Sequence, residues 1–110
     1  MNIDIKKVKI VVTVPLSHSD IVRKAMGDAG AGRVGNYSHC SFSTKGIGRF
    51  IPQEGAQPHV GSVNIPEEVE EERIEMDGVE IEKVAEVIRA MKLVHPYEEV
   101  VYDIYPLLSF

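Results

Sequence analysis

The chain has 110 residues, 44% of them hydrophobic, and a formal net charge of −5. That length supports one domain, residues 1–110, small enough that a subunit partner adds noticeably to its stability. Acidic residues spread along the chain argue against a nucleic-acid or anionic-membrane surface, and no apolar run approaches the roughly 20 residues of a bilayer span. A single cysteine cannot form an internal disulfide, and the opening MNIDIKK lacks the apolar stretch of a secretory signal, so the expected location is cytoplasmic.

Residues 7–14 are a β-branched run in which Val8, Ile10, Val12 and Val14 share one face, the pattern of a strand, with Pro15 expected to stop the ladder. Ser17 and the acidic Asp20 then signal the start of a helix. Its apolar stripe is Ile21, Val22, Ala25, Met26 and Ala29, and Gly30 closes it. Residues 37–44 alternate again as a second strand, with Cys40 and Phe42 assigned to the core face and Tyr37 and His39 to the other. Residues 45–66, rich in Gly, Pro and Gln, read as a long insert in which only Arg49, Phe50 and Ile51 can extend. Compact domains rarely carry such an insert without a use.

The charged segment 68–76 fits an exposed strand ending at an Asp77-Gly78 turn. Residues 79–93 place Ile81, Val84, Ala85, Ile88 and Met91 on one face of a second helix. Pro96 breaks it, and 100–105 make a last strand with Val100, Tyr102 and Ile104 inward, ended by Pro106. The order is βαββαβ, an α+β, ferredoxin-like antiparallel sheet with both helices on one face and a long insert between strands 2 and 3. Its other face stays open. Val11, Tyr37, His39, Phe50, Val101 and Tyr105 are expected there or at its rim, and further copies of the chain are the simplest cover for them.

Several stretches carry a resemblance. Gly30-Ala31-Gly32 through Gly35-Asn36-Tyr37, Cys40-Ser41-Phe42, Gly46 to Pro52, Glu54-Gly55-Ala56-Gln57-Pro58, Gly61 and His95-Pro96-Tyr97-Glu98-Glu99 together resemble the YqfO-type domain. Such domains occur inserted in bacterial Nif-three-like proteins and as free-standing small proteins. The run Val12-Thr13-Val14-Pro15 and the His95-Pro96-Tyr97-Glu98 segment are also similar to CutA, whose fold is close to that of the PII signalling proteins. The resemblance implies a CutA-like, PII-like fold and a trimer. The paired metal site and hydrolase chemistry of Nif-three-like proteins lie in the surrounding domain and are not expected here. Copper tolerance, linked to CutA, and small-ligand sensing, linked to PII, carry over only by analogy of fold.

The glycine-rich loop offers backbone amides, with Arg33 as a charge-assisted donor and Asn36 as a polar edge. It follows a helix, at the negative end of the dipole, which disfavours phosphate, and a plain helix-to-strand connection also explains its glycines. His39 and Cys40, adjacent on a strand, point to opposite faces and cannot share an ion. His95 and Glu98 are the metal-ligand types with converging spacing, though a third ligand must come from elsewhere, and Pro96 and Tyr97 also read simply as fixing the turn. No nucleophile has a sequence-local base partner.

The function expected is a non-enzymatic ligand-sensing or regulatory module, assembled as a homotrimer. Its small molecule would lie in a cleft of the glycine-rich loop and the 45–61 insert, held by Gly30, Gly32, Arg33, Gly35, Asn36, Tyr37 and His39. Two alternatives stand beside it: a CutA-like protein binding divalent copper or zinc through His39 or His95 with Glu98, and an assembly partner of a Nif-three-like metal hydrolase.

Overall fold

The computed structural model describes residues 4–109. Four strands, β1 (Lys7–Pro15), β2 (Phe42–Phe50), β3 (Glu67–Glu80) and β4 (Tyr102–Leu107), form one antiparallel sheet in the order β2-β3-β1-β4. Helices α1 (Ser19–Asp28) and α2 (Val84–Val94) pack on one face, each entered through a single 3₁₀ turn. This is the ferredoxin-like arrangement expected from the sequence. No helix among the described residues is long and apolar enough to cross a membrane.

The core forms because three periodicities converge. Val8, Ile10, Val12 and Val14 of β1 and Ile74, Met76 and Val79 of β3 meet Val22 and Met26 of α1 and Val87 and Met91 of α2, all buried. Each such side chain contributes about 1.5–3 kcal/mol by leaving water. Arg23 of α1 reaches across to the buried Glu72 of β3 and to Asp20, so the one carboxylate turned toward the helix layer at that point is paired.

Several boundaries differ from the sequence expectation. Ser17 does not cap α1; its hydroxyl pairs with the His18 ring, while Ser19 Oγ donates to the Leu16 carbonyl inside the 3₁₀ turn. Pro15 stays in the ladder opposite Glu71, and Pro106 sits within β4 opposite Val8, tolerated because β4 is an edge strand. Val79 and Glu80 belong to β3, and the second helix begins later. Asp77-Gly78 is not a turn. It is a bulge opposite Lys9, where the register between β1 and β3 slips and Gly78 adopts φ +65°. A Cβ on Gly78 would collide with the Arg33 carbonyl, so the bulge is where the glycine-rich loop presses on the sheet.

The second strand is displaced. It starts at Phe42, and 37–41 form part of the loop, because positive φ at Gly32, Gly35 and His39 breaks the extended chain. It then runs to Phe50, through residues assigned to the insert. Lys45 lies opposite Glu72 in this register, and Arg49 makes an ion pair with Glu68 at 3.2 Å across the ladder. The insert proper shrinks to 51–66. Phe42, given to the core, lies on the helix-free face and is 69% exposed.

The helix-free face is also less apolar than expected. Tyr37 and His39 are not on the sheet at all, and Val11 is only 2% exposed within its own chain. Val11 lies between Glu75 and Asp103, with the Lys9–Glu75 ion pair at 3.2 Å beside it. Beyond β1 the β2–β3 hairpin projects as a two-stranded arm, since β1 pairs only with Glu71 and later residues of β3. The radius of gyration, 15.2 Å, accordingly exceeds the roughly 13 Å of a compact domain of this length.

Candidate functional site, a cleft under the 51–66 loop

The loop between β2 and β3 folds back over the helix-free face and is fastened on both sides. Pro52, buried, accepts the Asn64 amide at 2.7 Å, which draws the ends of the loop together. The Gln57 amide donates to Glu98 at 2.8 Å, tying its middle to the connection between α2 and β4. His59 lies against Tyr97 at 6.3 Å and against His18 at 5.8 Å between ring centroids.

Tyr97 is the centre of this fastening. Its amide donates to His95 Nδ1 at 3.1 Å, its hydroxyl donates to Glu71 at 2.8 Å, and its ring meets Phe50 edge-on at 6.1 Å. His95 Nε2 donates to the Thr13 carbonyl at 2.8 Å, so the hydrogen-bond network assigns the neutral tautomer with its proton on Nε2. Burial holds the His95 pKa below its ordinary value, against the opposing pull of the Thr13 bond and the Glu71 charge. Burial, with the Glu71 bond and charge, pushes the Tyr97 phenol well up, which keeps it a donor. The segment His95-Pro96-Tyr97-Glu98 is thus a clasp joining α2, β1, β3 and the loop.

Between clasp, loop and sheet lies a cleft of about 700 Å³. Thr13, Arg73 and Thr44 form its floor, a single row across β1, β3 and β2, since both threonines oppose Arg73 in the registers. Phe50, His59 and Tyr97 wall it, Gly46 leaves an opening on its β2 side, and the Glu71 carboxylate lies over Gly48. A cleft of this size, part aromatic with a few convergent polar groups, has the build of a small-molecule site.

None of the seven residues expected to hold a ligand lines this cleft. Gly30, Gly32 and Arg33 lead from α1 to the β3 bulge, where the Gly32 amide donates to the Asp77 carbonyl at 2.7 Å. Gly35 and Asn36 form the tip of a two-residue turn closed by reciprocal Val34 and Tyr37 bonds at 3.0 Å, with Tyr37 74% exposed. His39 turns back onto α1, its Nε2 2.8 Å from Asp28 and its ring against Gly27. The Lys24 hydrogen bond, then that to His39, lowers the Asp28 pKa. The glycine-rich loop and the insert therefore sit at opposite ends of β2, roughly 25–30 Å apart at about 3.3 Å per residue. A cleft containing both needs two copies of the chain.

The metal expectation fares similarly. Both ring nitrogens of His95 face protein partners, and one oxygen of Glu98 accepts the Gln57 amide. Among the described residues no group of three or more His, Cys, Asp or Glu side chains is placed to hold an ion. Gly46, Gly48, Phe50 and His59 fall within the 45–61 insert expected to line the cleft, whereas Thr13, Thr44 and Arg73 lie outside it and left no local signal.

No family model matches the sequence. The chain is 52% identical over 101 residues to a "GTP cyclohydrolase 1 type 2 homolog" of Halalkalibacterium halodurans, and 51% identical over 100 residues to the protein so named in Bacillus subtilis. These matches cover 92% and 90% of this chain but only 27% and 26% of the relatives, so the chain spans about a quarter of their length. Among solved structures, a Bacillus cereus protein related to NIF3 superposes with a TM-score of 0.80 at 49% identity, over 97% of this chain and 27% of that one. CutA of Archaeoglobus fulgidus superposes with a TM-score of 0.66 at 20% identity, covering 94% and 86% of the two chains, a likeness of fold. Together these matches identify the chain as a YqfO-type, CutA-like domain of the kind carried by NIF3-related proteins.

Proposed function

We propose that the chain is a ligand-sensing or regulatory module, that its small-molecule site is the cleft under the 51–66 loop, and that the working form is an assembly of several copies. The observation that carries the reading is the cleft itself. About 700 Å³ of partly aromatic space is kept open by a loop whose ends and middle are each hydrogen-bonded down. Nothing in the core requires such a construction. The extended β2–β3 arm supports assembly, because a two-stranded ribbon projecting beyond β1 gains from a second copy.

Ligand-observed NMR against a library of small aromatic and aliphatic compounds tests the site. The reading expects compounds that bind the wild-type chain and lose binding in Gly46→Val, which fills the cleft floor. Hits that bind both proteins equally, or no hits, would overturn it.

A second reading, association with a separate NIF3-related protein, is favoured by the quarter-length match to such proteins. Co-purification with a NIF3-related protein from the same cells supports it, and failure to associate at micromolar concentrations of both proteins rejects it.

A further inference from the structure

Gly46 is unexplained by the fold. It lies mid-strand in β2 with no positive φ, and a Cβ built there meets nothing within 4 Å. Gly48, two residues on, differs, since a Cβ there would collide with the Glu71 carboxylate. A glycine inside a strand gives up backbone entropy and side-chain packing, and where no neighbour needs the space it marks close approach of something else. At Gly46 that space belongs to the cleft.

Arg73, beside it on the floor, is the second observation. The carboxylates around it already have partners: Glu71 accepts from Tyr97, Glu75 pairs with Lys9, and Glu98 accepts the Gln57 amide. Lys45 and Arg49 also reach the cleft from the alternate positions of β2, and Arg49 is paired with Glu68 at 3.2 Å. Arg73 reaches Glu75 only at 3.8 Å through Nε, and among the described residues its guanidinium makes no hydrogen bond. The hydroxyl-bearing Thr13 and Thr44 flank it on the adjacent strands. A planar fork of donors between two hydroxyls, inside a cleft, matches a carboxylate.

We infer that the cleft takes a small carboxylate with a flat unsaturated body, its carboxylate on Arg73 between Thr13 and Thr44 and its body over Gly46 against Phe50 and Tyr97; this rests on the cleft being a ligand site. Charge decides against a phosphate. Glu71, Glu98 and Glu99 line the same cleft, a setting that repels a dianion more than a single carboxylate.

The probes are 2-naphthoate, its uncharged isostere 2-naphthamide, and 2-naphthyl phosphate, titrated into the full chain by isothermal calorimetry. Naphthoate is expected to bind at least tenfold more tightly than the amide and the phosphate. Arg73→Gln is expected to erase that preference, and Gly46→Val to remove binding while leaving the melting temperature unchanged or higher. Equal binding of naphthoate and naphthamide, both blocked by Gly46→Val, overturns the carboxylate assignment and leaves the cleft a ligand site. Tighter phosphate binding does the same. Binding of none of the three overturns this inference, while the library screen decides the cleft reading separately.

Discussion

The Tyr97 hydroxyl donates a 2.8 Å hydrogen bond to Glu71, and so joins the connection after α2 to the middle of β3, 26 residues away in sequence. Glu71 is buried, and this bond is what lets a carboxylate sit on the sheet beneath the cleft. Removing the hydroxyl in Tyr97→Phe leaves that carboxylate without its donor and is expected to cost about 1.5–3 kcal/mol. Urea unfolding of the two proteins measures it. A loss of a few tenths of a kcal/mol would mean that Glu71 finds another donor.

His95 makes the clasp pH-sensitive. Its folded pKa lies below the ordinary value of about 6.5, so the unfolded chain binds the proton more readily and stability rises with pH across the interval below 6.5. The contribution is complete above the unfolded value and is lost as pH falls toward the folded one. Protonation would place a proton on Nδ1, which now accepts the Tyr97 amide. Melting temperatures between pH 7.5 and 5.5 are expected to fall in the wild type and to fall less in His95→Gln. Equal slopes would remove His95 as the cause.

Two glycines should respond oppositely to alanine. At Gly78, with φ +65° and the Arg33 carbonyl in the way of a Cβ, Gly78→Ala is expected to destabilise by about 1–3 kcal/mol. At Gly46, where the backbone is ordinary and the space empty, Gly46→Ala is expected to stabilise by up to about 0.5–1 kcal/mol. Thermal unfolding of both variants checks the contrast, and a destabilised Gly46→Ala would show that the fold itself uses that glycine.

The layout of the fold was legible because it rests on periodicity. Val8, Ile10, Val12 and Val14 alternate, and the stripes through Val22 and Met26 and through Val84, Ile88 and Met91 are helical, so strand and helix identities follow from residue spacing. Val87, outside the expected stripe, is nonetheless buried, while Ile21, Ile81 and Ala85 are exposed. The second strand was misplaced because Ser38, Cys40, Phe42 and Thr44 alternate as well as any strand, while the ladder that actually forms sets Phe42–Phe50 against Glu67–Glu75, a long-range fact. Asp77-Gly78 has the composition of a turn, and only the pressure of Arg33 from a loop 45 residues earlier makes it a bulge. The candidate site was hidden for the same reason. The glycine-rich loop concentrates its unusual residues locally, whereas Thr13, Thr44, Arg73 and Tyr97 become neighbours only when the sheet is assembled.

The assembly expectation is tested by mass in solution. Sedimentation equilibrium at micromolar concentration is expected to give three times the 12.2 kDa chain mass. A species of one chain mass, unchanged by concentration, would show that the β2–β3 arm and the helix-free face need no second copy.

The most direct measurement of the whole account is amide chemical-shift mapping of the first compound found to bind. Shifts are expected to concentrate in residues 44–50, 56–60 and 97–101, around Arg73, and to be absent in Gly46→Val. Shifts concentrated instead in residues 30–39, at the far end of β2, would contradict it and return the site to the glycine-rich loop.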